Sequence, residues 1–409
     1  MGKTTYKRLK GSQSFRQRLL LATLSSTPII IDEIRADDMI PGLLRHEMSL
    51  LRLFETVSDD CVVEVNETGT RLKYKPGIIM GGKNLVHSCA LTRSMGYYLE
   101  PLLVLGLFGK KPLSIRLKGV TDDPKDLSVD TIRNATLHIL KRFGPILTSL
   151  VPSEGLDLKI EARGVAPEGG GEVLLTVPNV QALTVCTFFF IFFSFLTASF
   201  VLSVYISLLQ AVQWVEEGMV KKIRGWTFSA RVSSNFEHSM RFAARGIFNN
   251  LLPDVHIFND HKSGPAAGKS PGYGISLVAE TTAGCYISAD TAVSCGRTEE
   301  TGEIDVERRE RKPAEDTGVE IASCLLQEIE KGGVVDSTHQ GLLFILCALC
   351  QQDVSKVRVG TLSPHGVETL RNLKEFLGVT FSFRPDPSTG TVILTCVGSG
   401  LINLSRKLS

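Results

Sequence analysis

Arg163-Gly164-Val165-Ala166-Pro167-Glu168-Gly169-Gly170-Gly171-Glu172 is the stretch on which the fold turns. It separates two segments, 156–162 and 172–177, that read as strands, so its simplest reading is a tight hairpin. Three glycines also let this backbone come close to an anion or to another chain segment, because no Cβ stands in the way. Outward from it, strand and helix signals recur in blocks of roughly 80 residues, which points to repeated β–α units with mixed sheets rather than one doubly wound sheet.

Upstream, residues 16–24 read as a helix and 28–34 as a strand through Ile29-Ile30-Ile31. Residues 42–56 read as an amphipathic helix, with Leu43, Leu44, Met48, Leu51 and Leu53 near helical spacing. A strand pair follows at 61–65 and 70–74, one or two helices within 83–107, and a strand at 113–117. A cap-type Ser128 precedes a helix at 130–143. Downstream, 233–250 reads as a helix, 264–274 as a Gly/Pro/Ala-rich loop, and 275–279 and 284–289 as strands. Residues 299–316 mix both charge signs and read as solvated. A helix at 316–331 stops at Gly332-Gly333. A buried helix at 341–350 and a βαββ pattern over 356–397 close the chain. The fold class is therefore α/β (α+β).

The chain has 409 residues, with 45 Lys+Arg against 43 Asp+Glu, so nucleic-acid binding has to come from local basic patches rather than a global polycation. Charged residues at 22% and hydrophobic ones at 43% exclude a disordered or collagen-like chain. Nine cysteines, an odd number scattered through apolar sequence, fit free thiols in a reducing compartment. Cys347 and Cys350 form a CxxC inside an apolar helix, without a second pair at zinc spacing, which favours core packing. The first 31 residues carry six basic side chains and no acid, as a mitochondrial presequence does, but Gly11-Ser12-Gln13 interrupts them. From Ala182 to Leu209 runs a stretch without any charge, containing Phe188-Phe189-Phe190-Ile191-Phe192-Phe193. About 20 apolar residues span a bilayer, so this run by itself leaves a membrane anchor open.

With its neighbours, the glycine string resembles the signature Arg-Gly-x-x-Pro-x-Gly-Gly-Gly of the RNA 3′-terminal phosphate cyclase family. The resemblance extends to Gly11-Ser12-Gln13-Ser14-Phe15-Arg16, Pro41-Gly42-Leu43-Leu44-Arg45-His46, Gly119-Val120-Thr121-Asp122 and Gln340. It covers the chain apart from the apolar run. It implies a large domain of three βαβαββ repeats, interrupted by a small α/β domain. The expected division is 1–181 for the first part of the large domain, 182–212 for the apolar extra segment, 213–290 for the inserted domain and 291–409 for the rest.

The resemblance also implies where the chain departs from a cyclase. The family's nucleophilic histidine, which must form a phosphoramidate with AMP, lies four residues before the glutamine. Here that position is Asp336, with His339 displaced by nearly a helical turn. The first glycine motif has Leu9-Lys10 where cyclases carry an acid, and Asp38 stands where an arginine is expected. No cyclase activity, no metal and no cofactor are expected. The anion-binding candidates are Gln13, Arg16, Arg45, Arg163, Gly169, Gly170, Gly171 and Gln340. This pattern resembles the eukaryotic cyclase-like branch. It implies a ribosome biogenesis factor of the nucleus and nucleolus, in the small-subunit processome, with pre-ribosomal RNA and a ribosome-assembly GTPase as partners.

Two alternatives stand beside it. One is an endoribonuclease using Asp336 and His339; the competing role for Asp336 is a helix N-cap, since Asp336-Ser337-Thr338 precedes an apolar helix. The other is membrane anchoring by the apolar run. A true span would place the two parts of one domain on opposite sides of a bilayer, so a docked helical hairpin or a transcript-specific insertion is the more economical reading. Lys221, Lys222, Arg224 and Trp226 form a basic-aromatic cluster suited to RNA, against the plainer reading of a solvated helix face.

Overall fold

Three times the chain lays down the same βαβαββ unit. The computed structural model describes residues 5–144, 155–183, 185–190, 205–210, 212–295 and 313–405. The first unit comprises β1 (Lys7–Lys10), α1 (Phe15–Leu24), β2 (Ile29–Asp32), α2 (Arg45–Val57), the short β3 (Ser58–Asp59), β4 (Val62–Val65) and β5 (Leu72–Lys75). β3 pairs with the two-residue β6 (Ile78–Ile79). The second unit comprises β7 (Gly82–Ser88), α3 (Gly96–Leu107), β8 (Leu113–Gly119), a helix in three segments, β9 (Asp157–Ala162) and β10 (Gly171–Val177). The segmented helix is α4 (Val129–Thr131), a π turn (Ile132–Thr136) and α5 (Leu137–Lys141). Ser128 caps it, its hydroxyl accepting from the Thr131 amide at 3.0 Å.

Between the second and third units lie β11 (Val185–Phe190) and β12 (Tyr205–Gln210), an antiparallel pair. The third unit then opens with β13 (Gln213–Trp214). A separate sheet intervenes: β14 (Val220–Ala230), α6 (Asn235–Phe248), β15 (Val255–Lys262), β16 (Gly272–Thr281), β17 (Tyr286–Ser294) and α7 (Ala314–Lys331). The third unit resumes with α8 (Gln340–Leu349), β18 (Val354–Val359), α9 (Pro364–Leu377), β19 (Phe381–Asp386) and β20 (Thr391–Val397).

The strand orders are β1-β2-β5-β4, β7-β8-β10-β9 and β13-β18-β20-β19, so the three sheets share one topology, with a parallel first pair and antiparallel returns. Strict alternation makes β8 a half-buried strand: Leu113, Ile115 and Leu117 point into the core while Arg116 and Lys118 point out. α8 is apolar on every side and buried over its whole length, as a central helix must be. One core joins all three units, through residues such as Leu19, Phe54, Leu103, Leu140, Leu346 and Leu394. Cys347 and Cys350 lie in it as free thiols. The inserted sheet has its own core of Ile223, Met240, Phe248, Ile257, Leu277 and Ile321.

The helix expected within 83–107 is α3, and the start of that stretch belongs to the strand β7, parallel to β8. The core that holds α6 reaches past residue 290, because α7 contributes Ile321, Ala322 and Leu325 to it, and these elements lie in sequence between β13 and α8 of the third unit. Within the apolar run the described backbone is a strand ladder rather than a helical hairpin, and residues 184, 191–204 and 211 lie outside the described residues. Leu183 bridges to Cys350 and Gln213 pairs with Lys356, so both flanks of the run return to the same stretch of chain around β18. Among the described residues no helix is long and apolar enough to cross a membrane.

Candidate functional site

The first unit and its neighbours enclose an open cleft of about 860 Å³. Four helices begin beside it: Ser14 and Phe15 at α1, Leu44 and Arg45 at α2, Tyr97 at α3 and His365 at α9 all line it. Helix N-termini present unpaired amides and a partial positive charge, so their convergence favours an anion. The loop before α1 is bent by two left-handed residues, Gly11 (φ 69°) and Ser14 (φ 52°). Gly42 is required before α2: it has φ 88°, and a Cβ there would lie 2.4 Å from the Thr68 carbonyl oxygen.

The cations of the cleft differ in how far they are already engaged. Arg35 donates two hydrogen bonds to Glu47, at 2.8 and 2.7 Å, and Glu47 also accepts from the Leu44 amide at 2.8 Å, which caps α2. Arg93 grips Asp126 through two 2.6 Å bonds. Arg16 pairs with Glu100 and, at 3.7 Å, with Asp126. Arg16 and Arg93 both lie over the Tyr97 ring, 5.0 and 4.9 Å from its centroid. Arg45 and Lys125 are exposed, and among the described residues neither has a carboxylate within ion-pair distance. Burial pushes the pKa of His46 and of His365 down, so both imidazoles are neutral at pH 7.

The residues singled out from the sequence thus separate. Arg16 and Arg45 line the cleft, and Gln13 is exposed on the loop between the lining residues Ser12 and Ser14. Gln340 is buried; it donates to the Thr361 carbonyl at 2.9 Å and accepts from the Ser363 amide at 2.8 Å. It therefore shapes the turn that brings His365 to the cleft.

Arg163 lies elsewhere. Its side chain is 1% exposed and contacts Asp130 at 2.6 Å, Asp260 at 2.9 Å and Asp122 at 3.4 Å. Asp260 belongs to β15, so this arginine bolts the inserted domain to the second unit and presents no face to RNA. The glycine turn does the same in backbone. A Cβ on Gly268 would lie 2.5 Å from the Arg163 carbonyl oxygen and 2.6 Å from that of Gly169, and the Lys269 amide donates to Gly169 at 2.9 Å. Gly169, Gly170 and Gly171 meet another chain segment rather than an open anion site.

Asp336 and His339 are sealed as well. The Asp336 carboxylate accepts from the amides of Thr338 and His339, each at 3.0 Å, and from the Ser288 amide and hydroxyl at 2.9 and 2.8 Å. His339 Nδ1 lies 2.9 Å from that carboxylate and Nε2 lies 2.8 Å from the Thr136 hydroxyl. Burial alone would raise the Asp336 pKa, but the charge of His339 and these donors hold it well below the usual carboxylate range. The same carboxylate raises His339 against its own burial. Asp, His and Thr here are connected as in a nucleophilic triad, yet all three are at most 1% exposed. The turn-closing role is the one the geometry performs, and a nuclease working through this pair would need both groups open to a 2′-hydroxyl.

Sequence reasoning missed Arg35, Arg93, Tyr97 and Lys125. The available signal was the polar turn Asp122-Asp123-Pro124-Lys125-Asp126 before the Ser128 cap. Among the described residues no group of three or more His, Cys, Asp or Glu side chains is placed to hold a metal ion.

Comparison with known proteins gives a consistent picture. A family model described as RNA 3′-terminal phosphate cyclase matches residues 7–383. A probable RNA 3′-terminal phosphate cyclase-like protein of Arabidopsis thaliana is 73% identical over 403 residues, covering 98% of this chain and 99% of that protein. The RNA 3′-terminal phosphate cyclase-like protein of Homo sapiens is 40% identical, covering 97% of each chain. The rRNA processing protein rcl1 of Schizosaccharomyces pombe is 36% identical, covering 98% of each.

Proposed function

Because this chain belongs to the RNA 3′-terminal phosphate cyclase family, we propose that it keeps the family's scaffold for ribosomal RNA processing while lacking the family's chemistry. The observation that carries this reading is position 336. Adenylyl transfer needs an exposed imidazole, and the chain has a carboxylate there, less than 2% exposed and committed to donors from Thr338, His339 and Ser288. The cleft supports the binding half of the reading. Exposed Arg45 and Lys125, set among helix N-termini, suit the phosphates of an RNA strand.

The name of the Schizosaccharomyces pombe relative supports ribosomal RNA as the substrate class and ribosome-building machinery as the setting. On this reading the protein acts in the nucleus and nucleolus, as a small-subunit processome component that supports early 18S precursor cleavages and works with a ribosome-assembly GTPase. Incubation with ATP labelled on the α-phosphate tests the loss of chemistry: no labelled protein is expected, and an acid-labile protein–AMP adduct overturns it. Depletion tests the role. Unprocessed small-subunit precursor RNA should accumulate, and a normal precursor ladder would sink the proposal.

A further inference from the structure

The basic string that stands out in the sequence is neutralised by the fold. Lys221 and Lys222, on β14, both pair with Glu280, at 2.6 and 2.8 Å, and Arg224 pairs with Asp254 at 2.8 Å. Trp226 is left beside Phe258, its register partner on β15, with ring centroids 5.9 Å apart. The unneutralised charge lies one element later, on α6.

The solvent face of α6 carries His238, Arg241, Phe242 and Arg245. The helix has a single acid, Glu237, and that side chain is buried and bonded to Ser229. Among the described residues neither Arg241 nor Arg245 has a carboxylate within ion-pair distance; Arg241 bonds to His238 Nδ1 at 3.1 Å. The acids of this layer are gathered on α7 instead, at Glu315, Asp316, Glu320, Glu328 and Glu330. Phe242 is 81% exposed, where a ring of that size gains nothing from the fold. The free edge of the sheet adjoins this face, since the Asn259 side chain of β15 bonds to His238 at 3.3 Å, while the neighbouring Phe258 points with Trp226 to the opposite face of the sheet.

Guanidinium groups without carboxylate partners, set around an exposed aromatic ring, are the combination that holds single-stranded nucleic acid: phosphates meet the arginines and a base stacks on the ring. We propose that the inserted domain carries a second RNA-contact surface, formed by the solvent face of α6, that takes single-stranded RNA by phosphate contact through Arg241 and Arg245 and base stacking on Phe242. It rests on the RNA reading given above, and it lies on a different domain from the cleft.

The test is fluorescence anisotropy of the full chain with a 5′-labelled oligouridine of about 20 nucleotides, long enough for two contact areas, titrated at several KCl concentrations. Phe242→Ala should weaken binding about 5- to 50-fold through lost stacking. Arg241→Ala with Arg245→Ala should lower the log–log salt slope by about 1 to 1.5, at roughly 0.7 per phosphate contact on a single strand. Phe242 and Arg245 are exposed and Arg241 is half-buried, bonded to the exposed His238, so the melting temperatures of both variants should stay close to the parent. Arg45→Ala, in the cleft, should weaken binding separately. If the α6 variants bind as the parent does while Arg45→Ala weakens binding, the second surface is wrong and the cleft reading stands. If no variant changes RNA binding, both fall. If the α6 variants keep RNA affinity but lose binding to a polyglutamate peptide, the surface belongs to an acidic protein and the proposal is overturned.

Discussion

Arg163 and Arg45 each stand next to a glycine-containing turn, and the fold uses them in opposite ways. Arg163 leaves β9 beneath the inserted domain, where Asp122, Asp130 and Asp260 surround its guanidinium. Arg45 opens α2 at the mouth of a cleft in which the lining acid Glu47 is already taken by Arg35 and the Leu44 amide. The first is a bolt between domains and the second is a free charge. Residue type and motif context are similar in the two regions; what separates them is burial and the number of carboxylates within reach.

The strongest way to break this contrast is to remove the bolt. Arg163→Ala leaves three acids around an empty site and should cost about 3–5 kcal/mol, read as a lowered urea midpoint; a loss below about 1 kcal/mol would mean that the cluster is not holding the domains together. Asp336→Ala strands the donors of Ser288, Thr338 and His339. It should cost about 1–3 kcal/mol, since unpaired buried donors carry that penalty, and Asp336→His should restore no adenylylation. Arg45→Ala should do the reverse of Arg163→Ala. Its melting temperature should stay unchanged, while the log–log salt slope for RNA binding falls by about 0.7.

A subtler test concerns Asp122. Burial pushes its pKa up to about 7 against the pull of Arg163, and its Oδ1 has no hydrogen-bond partner among the described residues. The unfolded chain ionises this group near 3.8, so its contribution to stability is full below that value and is lost as pH rises towards 7. Asp122→Asn should therefore gain on the parent between pH 5 and 8 in denaturation midpoints. A constant difference across that range would show that Asp122 is ionised throughout.

The repeats were legible because they rest on local signals. Ile29-Ile30-Ile31, the alternation of 113–118, the Ser128 cap and the Gly332 stop each act within a few residues, and each produced the element expected. The strand at 82–88 was not legible, because its Lys, Asn and His side chains hide its pairing with β8. The packing of α7 on α6 was not legible either, since the two helices lie more than 60 residues apart in sequence.

The candidate site divides along the same line. The sequence by itself determined the recurring strand and helix signals, the carboxylate at 336 and the glycines that a close backbone approach demands, because these depend on residue identity and local geometry. Only the tertiary structure decided what the glycines approach, which arginines are spent on aspartates and which remain open in the cleft and on α6. It also brought both flanks of the apolar run to the same region around β18. The physical reason is that a charge is neutralised, and a backbone approached, by groups far away in the chain, and a linear pattern carries no distance between them.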